Sequence, residues 1–209
     1  MKIFQAKSVH TFCLLLLVSL GLFAQSKEIT IEQVSKQLSR YPCTRGTFVQ
    51  EKYIPAIKRS LTSSGTFLIT SRDGIIWQTE KPYPSIMTVG MSHISQGTSL
   101  ETMTRIDTGS NRLFMEFSNA ISSAFSGNLK EIQNSFYTNF SSKGSRWTLL
   151  LEPKEAAVNQ VVKSIQLQGE SDLETVTMTE QTGSTITYKF SNQSFSQEPT
   201  EYEKQLLAK

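Results

Sequence analysis

Few side chains in this sequence could catalyse a reaction. His93 is the single histidine beyond the first ten residues, so any histidine-dependent hydrolytic site would have to use it. No serine lies in the Gly-x-Ser-x-Gly arrangement that presents a nucleophile on a sharp turn. The carboxylates of Glu51, Asp73, Glu80 and Glu101 are scattered, and such acids at strand ends are usually solvated. The residues therefore predict that the protein is not an enzyme, and an esterase that depends on His93 is the one catalytic alternative.

No residues have the spacing of a metal or cofactor site. Histidine pairs and cysteine pairs, which hold structural zinc, are missing from the sequence. No glycine-rich loop follows a strand in the way that phosphate binding requires. Cys43 is the only cysteine besides Cys13 and is most simply a small half-buried thiol. We predict no metal and no cofactor.

The first 24 residues have the parts of a secretory signal peptide. Lys2 and Lys7 give a positive start, residues 12–20 are apolar, and Ala24 suits cleavage. The apolar run is short for a membrane span, although an uncleaved N-terminal anchor is the alternative. We expect a periplasmic protein, without a lipid anchor, that has a single domain over residues 25–209. Cleavage would remove two lysines and no acid, which lowers the net charge from +3 to +1, and no basic stripe predicts nucleic-acid binding.

The residues after the signal peptide alternate as in an antiparallel sheet. Ile186, Tyr188 and Phe190 alternate with polar residues, residues 176–178 repeat this period, and so do residues 161–167 with Val161 on the apolar side. Successive side chains of a strand face opposite sides, so each strand is predicted to have one polar face and one apolar face. A helix, another sheet or a lipid must cover the apolar face.

Two helices are predicted beside about nine to eleven strands. Thr30 and Gln33 have the spacing of a capping box before a helix over residues 31–40, and the spacing of residues 114, 117, 121 and 125 predicts a second helix. The tail from Gln197 is polar and is expected to pack loosely. A sheet of this size curls. The predicted fold is mainly β (α+β), a curved antiparallel sheet forming an unclosed barrel with helices as a lid over a hydrophobic cavity, and a helix-packed sheet with a filled core is the alternative.

Five short segments occur in a distinctive order. They are Gly46-Thr47-Phe48-Val49-Gln50, Gly65-Thr66-Phe67, Ile75-Ile76-Trp77 with Pro82 five residues after the tryptophan, Trp147-Thr148-Leu149-Leu150-Leu151-Glu152-Pro153-Lys154, and Tyr188-Lys189-Phe190-Ser191-Asn192. In order and spacing they resemble the periplasmic outer-membrane lipoprotein carrier (LolA) family over about residues 30–195.

This resemblance implies a function in lipoprotein transport and outer-membrane biogenesis. Such a carrier acts as a chaperone that shelters the acyl chains of lipoproteins in a hydrophobic cavity and delivers them from the inner to the outer membrane. The implied partners are acylated lipoproteins or other lipids, an inner-membrane ATP-driven lipoprotein transporter and an outer-membrane receptor. We expect a monomer with no nucleic-acid partner. The cavity lining would be Phe48, Phe67, Ile69, Ile75, Trp77, Met87 and Val89, and the lid would be Phe114, Phe117, Ile121 and Phe125.

One position departs from the family pattern. In the family, an arginine followed by proline comes a few residues after the glycine that begins the second strand, and its side chain holds the lid closed. Counted from Gly65, that position is Ser71, and Arg72 follows without a proline. Because a one-residue slip moves a side chain to the opposite face of a strand, Arg72 is either a displaced latch or no latch. Two alternatives stay open, a carrier of another lipid or acylated intermediate and a non-transport periplasmic adaptor with a filled core.

Overall fold

The computed structural model of the chain describes residues 28–90, 93–106 and 112–209, without the side chains of residues 112–114 and 117. The predicted signal peptide over residues 1–24 lies outside these ranges. The strands are β1 (Cys43–Ile54), β2 (Arg59–Thr70), β3 (Ile75–Lys81), β4 (Ser85–Val89), β5 (Ile94–Gly97), β6 (Thr104–Ile106), β7 (Phe136–Lys143), β8 (Arg146–Pro153), β9 (Val162–Gly169), β10 (Leu173–Glu180) and β11 (Thr185–Ser196). The helices are α1 (Ile31–Leu38), α2 (Arg112–Phe125), α3 (Leu129–Ser135), α4 (Ala156–Asn159) and α5 (Glu201–Leu207).

All of these strands lie in one antiparallel sheet. Their order is β6-β5-β4-β3-β2-β1-β11-β10-β9-β8-β7, so β6 and β7 are the two edges and do not pair with each other. The predicted class is therefore confirmed, because the fold is mainly β and the antiparallel sheet is not closed into a barrel. We call the face that packs against α1, α2 and α3 the inner face and the opposite face the outer face.

The predicted capping box begins α1. The hydroxyl of Thr30 accepts a hydrogen bond from the Gln33 backbone N–H at 3.3 Å, and the Gln33 side chain accepts one from the Thr30 backbone N–H at 2.9 Å. Two donors that the helix itself cannot satisfy are thereby satisfied. The helix ends at Leu38, two residues before the predicted end, and its buried Val34 and Leu38 pack on the inner face.

The outer face of the sheet is also apolar where β1 to β4 lie. Cys43, Leu68, Ile76, Ile86 and Met103 form a second buried cluster there, separate from the inner one, and Leu206 of α5 covers it. The prediction of one polar face per strand is therefore wrong for this half of the sheet. The outer face is apolar here because residues 67–69 and 75–77 are consecutive apolar residues. Such uninterrupted runs are typical of strands that are buried on both faces.

The prediction of a loosely packed tail is also wrong. The hydroxyl of Thr200 caps α5, and Leu206 of this helix is 1% exposed. Arg45 on the outer face of β1 donates two hydrogen bonds to the carboxylate of Glu203, each at 2.7 Å. Arg45 also donates to the hydroxyl of Ser196 and, at 3.1 Å, to the carbonyl of Glu198. A charged side chain and an apolar side chain thus fix the helix on the outer face.

The strand phase predicted at the start of β9 is wrong because the pairing register shifts there. Thr179 of β10 pairs with Ser164, but Glu180 pairs with Val162, which leaves Lys163 as an extra residue. Such a bulge reverses the alternation on its N-terminal side. Val162 is consequently buried and Val161 is 37% exposed, whereas Ile165 and Leu167 are buried as predicted.

Acidification should release α5 from the outer face. Burial by itself would raise the pKa of Glu203, but hydrogen bonds from Arg45 and Thr200 outweigh burial and lower it. Because this folded-state pKa lies below the value of about 4.3 for an unfolded chain, the pair stabilises docking fully above that pH, and its contribution is lost as the pH falls through the folded-state pKa. The rate at which dithiodipyridine, which reacts with thiols even in acid, modifies buried Cys43 should therefore rise below about pH 4. The variant Glu203→Gln should remove this rise, and a flat wild-type profile would contradict the expectation.

Candidate functional site

The predicted lining residues come from four adjacent strands. Phe67 of β2 pairs with Trp77 of β3, and Trp77 pairs with Met87 of β4. Ile69, Ile75 and Val89 form the next row, since Ile75 is the partner of both other residues. Side chains of directly paired residues lie on the same face of a sheet. The structure therefore brings the predicted lining together on the inner face, including Phe48 of β1, whose neighbours across the strands are Gly65 and Phe190.

Aromatic rings fill the centre of the inner face. The ring centroids of Phe48 and Trp77 are 5.4 Å apart and edge-on, those of Trp77 and Tyr188 are 5.2 Å apart, and those of Phe67 and Phe190 are 5.0 Å apart. Each of these rings is at most 8% exposed, and burial raises the pKa of Tyr188. Aromatic pairs of this geometry contribute about 0.5–1.5 kcal/mol each beyond their burial. Any ligand that binds to the inner face has to displace contacts of this strength.

Two glycines leave room for these rings and for a close strand approach. A Cβ atom on Gly46 would lie 2.8 Å from the ring of Phe67 and 2.7 Å from the carbonyl oxygen of Ser191. A Cβ atom on Gly65 would lie 1.9 Å from the carbonyl oxygen of Gln78. These separations are far below van der Waals contact. A larger residue at Gly46 or Gly65 would therefore clash with its neighbours, which explains why glycine occupies these two positions.

Helix α2 lies across the inner face. Ile121 is 0% exposed and Phe125 is 5% exposed, and both belong to the same apolar cluster as Phe48 and Ile75. Phe114 and Phe117 lie on the same helix, but their side chains fall outside the described part of the chain. The end of the helix is joined to α1, because the hydroxyl of Ser35 donates to the carbonyl oxygen of Gly127 at 3.1 Å. The helix therefore covers the strands with apolar side chains and is tied down at its C-terminal end.

The apolar cluster continues beyond the residues that the sequence singled out. Side chains of α1 and of β8 to β11 contribute to it, among them Val34, Leu38, Trp147, Leu149, Leu151, Ile165, Leu167, Val176 and Met178. The alternation of β8, β9 and β10 was a sufficient signal for these residues, but the predicted lining stopped at β4. Met87 is only half buried and packs at the margin of the cluster, and Val89 is 4% exposed.

A polar cleft of about 340 Å³ separates the β2–β3 turn from α2 and α3. Arg72 in this turn is exposed, and it faces a side of the cleft that is rich in hydroxyl and amide groups. The lining residues are Thr70, Ser71, Arg72, Gly74, Val89, Gly90, Asn119, Ser122, Ser123, Ser126 and Glu131. Within the described residues, no hydrogen bond from Arg72 to α2 is formed. The arginine thus lies across the cleft from α2, and its role as a latch stays a prediction.

His93 lines a second cleft of about 460 Å³, which lies beside the end of α5 and shares Arg72 and Gly90 with the first cleft. The described residues around it include Arg72, Asp73, Lys204 and Leu207 but no serine, threonine or cysteine.

Across the described chain, no group of three histidine, cysteine, aspartate or glutamate side chains is placed to hold a metal ion. The same residues contain no helix with the length and apolar character needed to span a membrane.

The sequence matches the family model described as outer membrane lipoprotein carrier protein LolA over residues 41–203. The chain belongs to the LolA family. The match begins just before β1 and ends within α5, so it includes the whole sheet and the cover helix α2. No curated protein matches the chain.

The solved structures that match the chain are only distantly similar to it. A LolA superfamily protein from Nitrosomonas europaea is 10% identical, with a TM-score of 0.48 over 82% of this chain and 96% of that one. An outer membrane lipoprotein-sorting protein domain from Vibrio parahaemolyticus is 12% identical, with a TM-score of 0.45 over 86% and 97%. MucB of Pseudomonas aeruginosa, in a complex with MucA, is 8% identical, with a TM-score of 0.43 over 81% and 57%.

Proposed function

We propose that this LolA-family protein is a periplasmic carrier that shelters the acyl chains of lipoproteins on its inner face and delivers them from the inner to the outer membrane. One observation carries the proposal. Ile121 and Phe125 of α2 share a single apolar cluster with the strands beneath, so outward movement of this helix would open a continuous apolar trough. Export through the signal peptide over residues 1–24 and a single domain over residues 25–209 are part of the proposal.

The energetics require such a trough to be large and apolar. Each methylene group of an acyl chain costs about 0.8 kcal/mol to keep in water, so a 16-carbon chain needs roughly 10 kcal/mol of shelter. The inner face offers aliphatic and aromatic side chains along most of the sheet. In the closed structure the predicted lining is packed, since Phe48, Ile69, Ile75 and Trp77 are each at most 3% exposed. Acyl chains would therefore enter by displacing α2 and its side chains.

Displacement gives the carrier a way to release its cargo. The side chains of Phe114, Phe117, Ile121 and Phe125 are proposed to compete with the acyl chains for the same apolar surface. Closing of the lid then lowers the affinity for the cargo, as expected when a ligand binds one of two conformations. The direction of transport would come from partners, an ATP-driven transporter that loads the carrier and an outer-membrane receptor that binds the cargo more tightly.

A second candidate follows from the same packing. If the closed inner face never opens, the protein is a periplasmic adaptor with a filled core and no lipid cargo. The near-complete burial of the predicted lining favours this alternative, because protein interiors are normally packed without space for a guest.

Native mass spectrometry of the protein purified gently from the periplasm separates these candidates. The carrier proposal expects a co-purified acylated lipoprotein in the complex. A bound free lipid or acylated intermediate instead would keep the carrier function and change its cargo. A protein that is free of lipid, and that takes up no fluorescent fatty acid when this is added at saturating concentration, would contradict the carrier proposal and support the adaptor.

A further inference from the structure

The hairpin of β1 and β2 projects from one end of the sheet. β3 begins to pair with β2 at Ser64, so residues 59–63 extend past β3 by about 16 Å at the usual rise per residue. On its other side the hairpin is paired with β11 only as far as Tyr53. The tip, which we define as residues 53–61, therefore extends past β3, whereas on its other side it lies beside the β10–β11 turn, where a Cβ atom on Gly183 would be 3.7 Å from Pro55.

The tip carries exposed apolar side chains. Ile57 and Leu61 are each 57% exposed, and Tyr53 is 39% exposed. In the neighbouring turn between β3 and β4, Tyr83 is 81% exposed. Leu61 lies on the same side of β2 as Phe67, because the pairing with β1 is unbroken between them. Between Leu61 and Phe67 the inner-face positions of β2 are Ser63 and Gly65, and those paired with Leu61 and Ser63 on β1 are Lys52 and Gln50. Polar residues therefore separate Leu61 from the buried inner cluster.

The charge of the tip is positive. Lys58 and Arg59 are both exposed, and residues 53–61 contain no acid. The acids beside the tip have nearby partners, since Glu51 accepts a hydrogen bond from Ser60 at 2.7 Å and Glu180 is 3.3 Å from the ammonium group of Lys52. At the end of β3, exposed Glu80 is offset by exposed Lys81.

We propose that the tip docks on an anionic phospholipid surface. Exposed aliphatic side chains, tyrosines and basic groups together are the composition that lies at a lipid–water interface. The basic pair supplies the charge complementarity, because anionic lipids attract such groups near their surface. The inference rests on the proposed carrier function, since docking by the tip would hold the carrier against the membrane that supplies or receives the acyl chains.

Vesicle sedimentation tests the proposal with the full exported protein. Wild type should bind vesicles of phosphatidylcholine mixed with phosphatidylglycerol much more than vesicles of phosphatidylcholine alone, and salt should weaken this binding. The double variant Lys58→Gln/Arg59→Gln should bind the mixed vesicles about 30-fold more weakly, because each basic group contributes about a factor of five. Ile57→Ser/Leu61→Ser should also lose most of the binding.

The matched control is Val49→Ser, which removes a 45% exposed valine on the outer side of β1, away from the tip. It should bind the vesicles like wild type, and thermal unfolding should show that all variants are folded. Wild type that stays in solution with both vesicles, or tip variants that bind as wild type does, would overturn the inference. Binding of the tip to an envelope protein instead of to lipid would overturn it as well.

A fluorescent fatty acid in vesicle-free solution keeps this test separate from the test of the carrier function. The tip variants should take up the fatty acid with wild-type affinity, because the tip lies outside the buried cluster. Normal uptake with no vesicle binding would reject only the docking site. Vesicle binding without uptake would reject the carrier function and leave lipid docking as a property of the tip.

Discussion

Replacing Ile121 by alanine should strengthen acyl-chain binding about ten-fold or more while destabilising the empty protein. Ile121 is 0% exposed between α2 and the inner face, so the truncation leaves a cavity that costs the closed form about 2–5 kcal/mol. In the loaded protein this side chain has already been displaced by the cargo, and its loss costs much less. The apparent affinity rises because a larger fraction of the protein is competent to bind.

Fluorescent fatty-acid titration gives the affinity, and urea unfolding gives the stability. The matched control is Leu206→Ala, a similar truncation of a 1% exposed side chain on the outer face under α5. It should lower the stability by a comparable amount and leave the affinity unchanged. If Ile121→Ala instead weakens binding in step with its loss of stability, Ile121 is ordinary core and does not compete with the cargo.

The sequence predicted the inner half of this fold well because its signals are local. The capping box of Thr30 and Gln33 and the alternation of Ile186, Tyr188 and Phe190 each depend on a few neighbouring residues. Local hydrogen bonding and side-chain direction decide these features. The sheet order then follows mainly from short connections between consecutive strands.

The outer half was missed because its determinants are distant in sequence. Nothing near Gln197 reveals that Arg45, more than 150 residues earlier, will bind Glu203 across the outer face. The alternation rule itself hid the second apolar cluster, since Leu68 and Ile76 sit between residues that were already assigned to the inner side. The uninterrupted runs 67–69 and 75–77 were the available signal for an outer cover.

The residues of the candidate site were predicted, but whether they enclose an open cavity or pack against each other was not. The resemblance to the LolA family implied that Phe48 and Trp77 line a surface that Ile121 covers, and the structure brings the three side chains into one cluster. Whether such surfaces enclose a guest or pack together depends on small volume differences that no sequence pattern encodes. A latch role for Arg72 cannot be predicted from a sequence pattern either, because it depends on where α2 lies relative to the β2–β3 turn.

Replacing Arg45 by alanine should raise the reactivity of Cys43 by about 100-fold. Cys43 is 2% exposed in the outer cluster, and α5 covers this cluster. Arg45 donates two hydrogen bonds to Glu203 of α5, one to Glu198 in the segment before the helix and one to Ser196 at the end of β11. The side chains of Arg45 and Glu203 are only 23% and 17% exposed. The loss of the arginine leaves the Glu203 carboxylate partly buried without its cation, which costs docking about 3 kcal/mol. Local detachment of α5 then exposes the thiol more often.

The rate of Cys43 alkylation by iodoacetamide at constant pH measures this opening. Burial raises the pKa of the Cys43 thiol in the docked state and the Arg45 charge lowers it, so the faster alkylation expected in Arg45→Ala comes from the greater exposure of the thiol. Lys204→Ala is the matched control on the same helix, because it removes only the exposed ion pairs with Glu198 and Glu201, and pairs of this kind contribute little to stability. Equal alkylation rates in Arg45→Ala and Lys204→Ala would show that Leu206 and its apolar neighbours hold α5 without the buried ion pair. Faster alkylation in Arg45→Ala alone would show that the outer face is held by a charged contact in addition to its apolar cover.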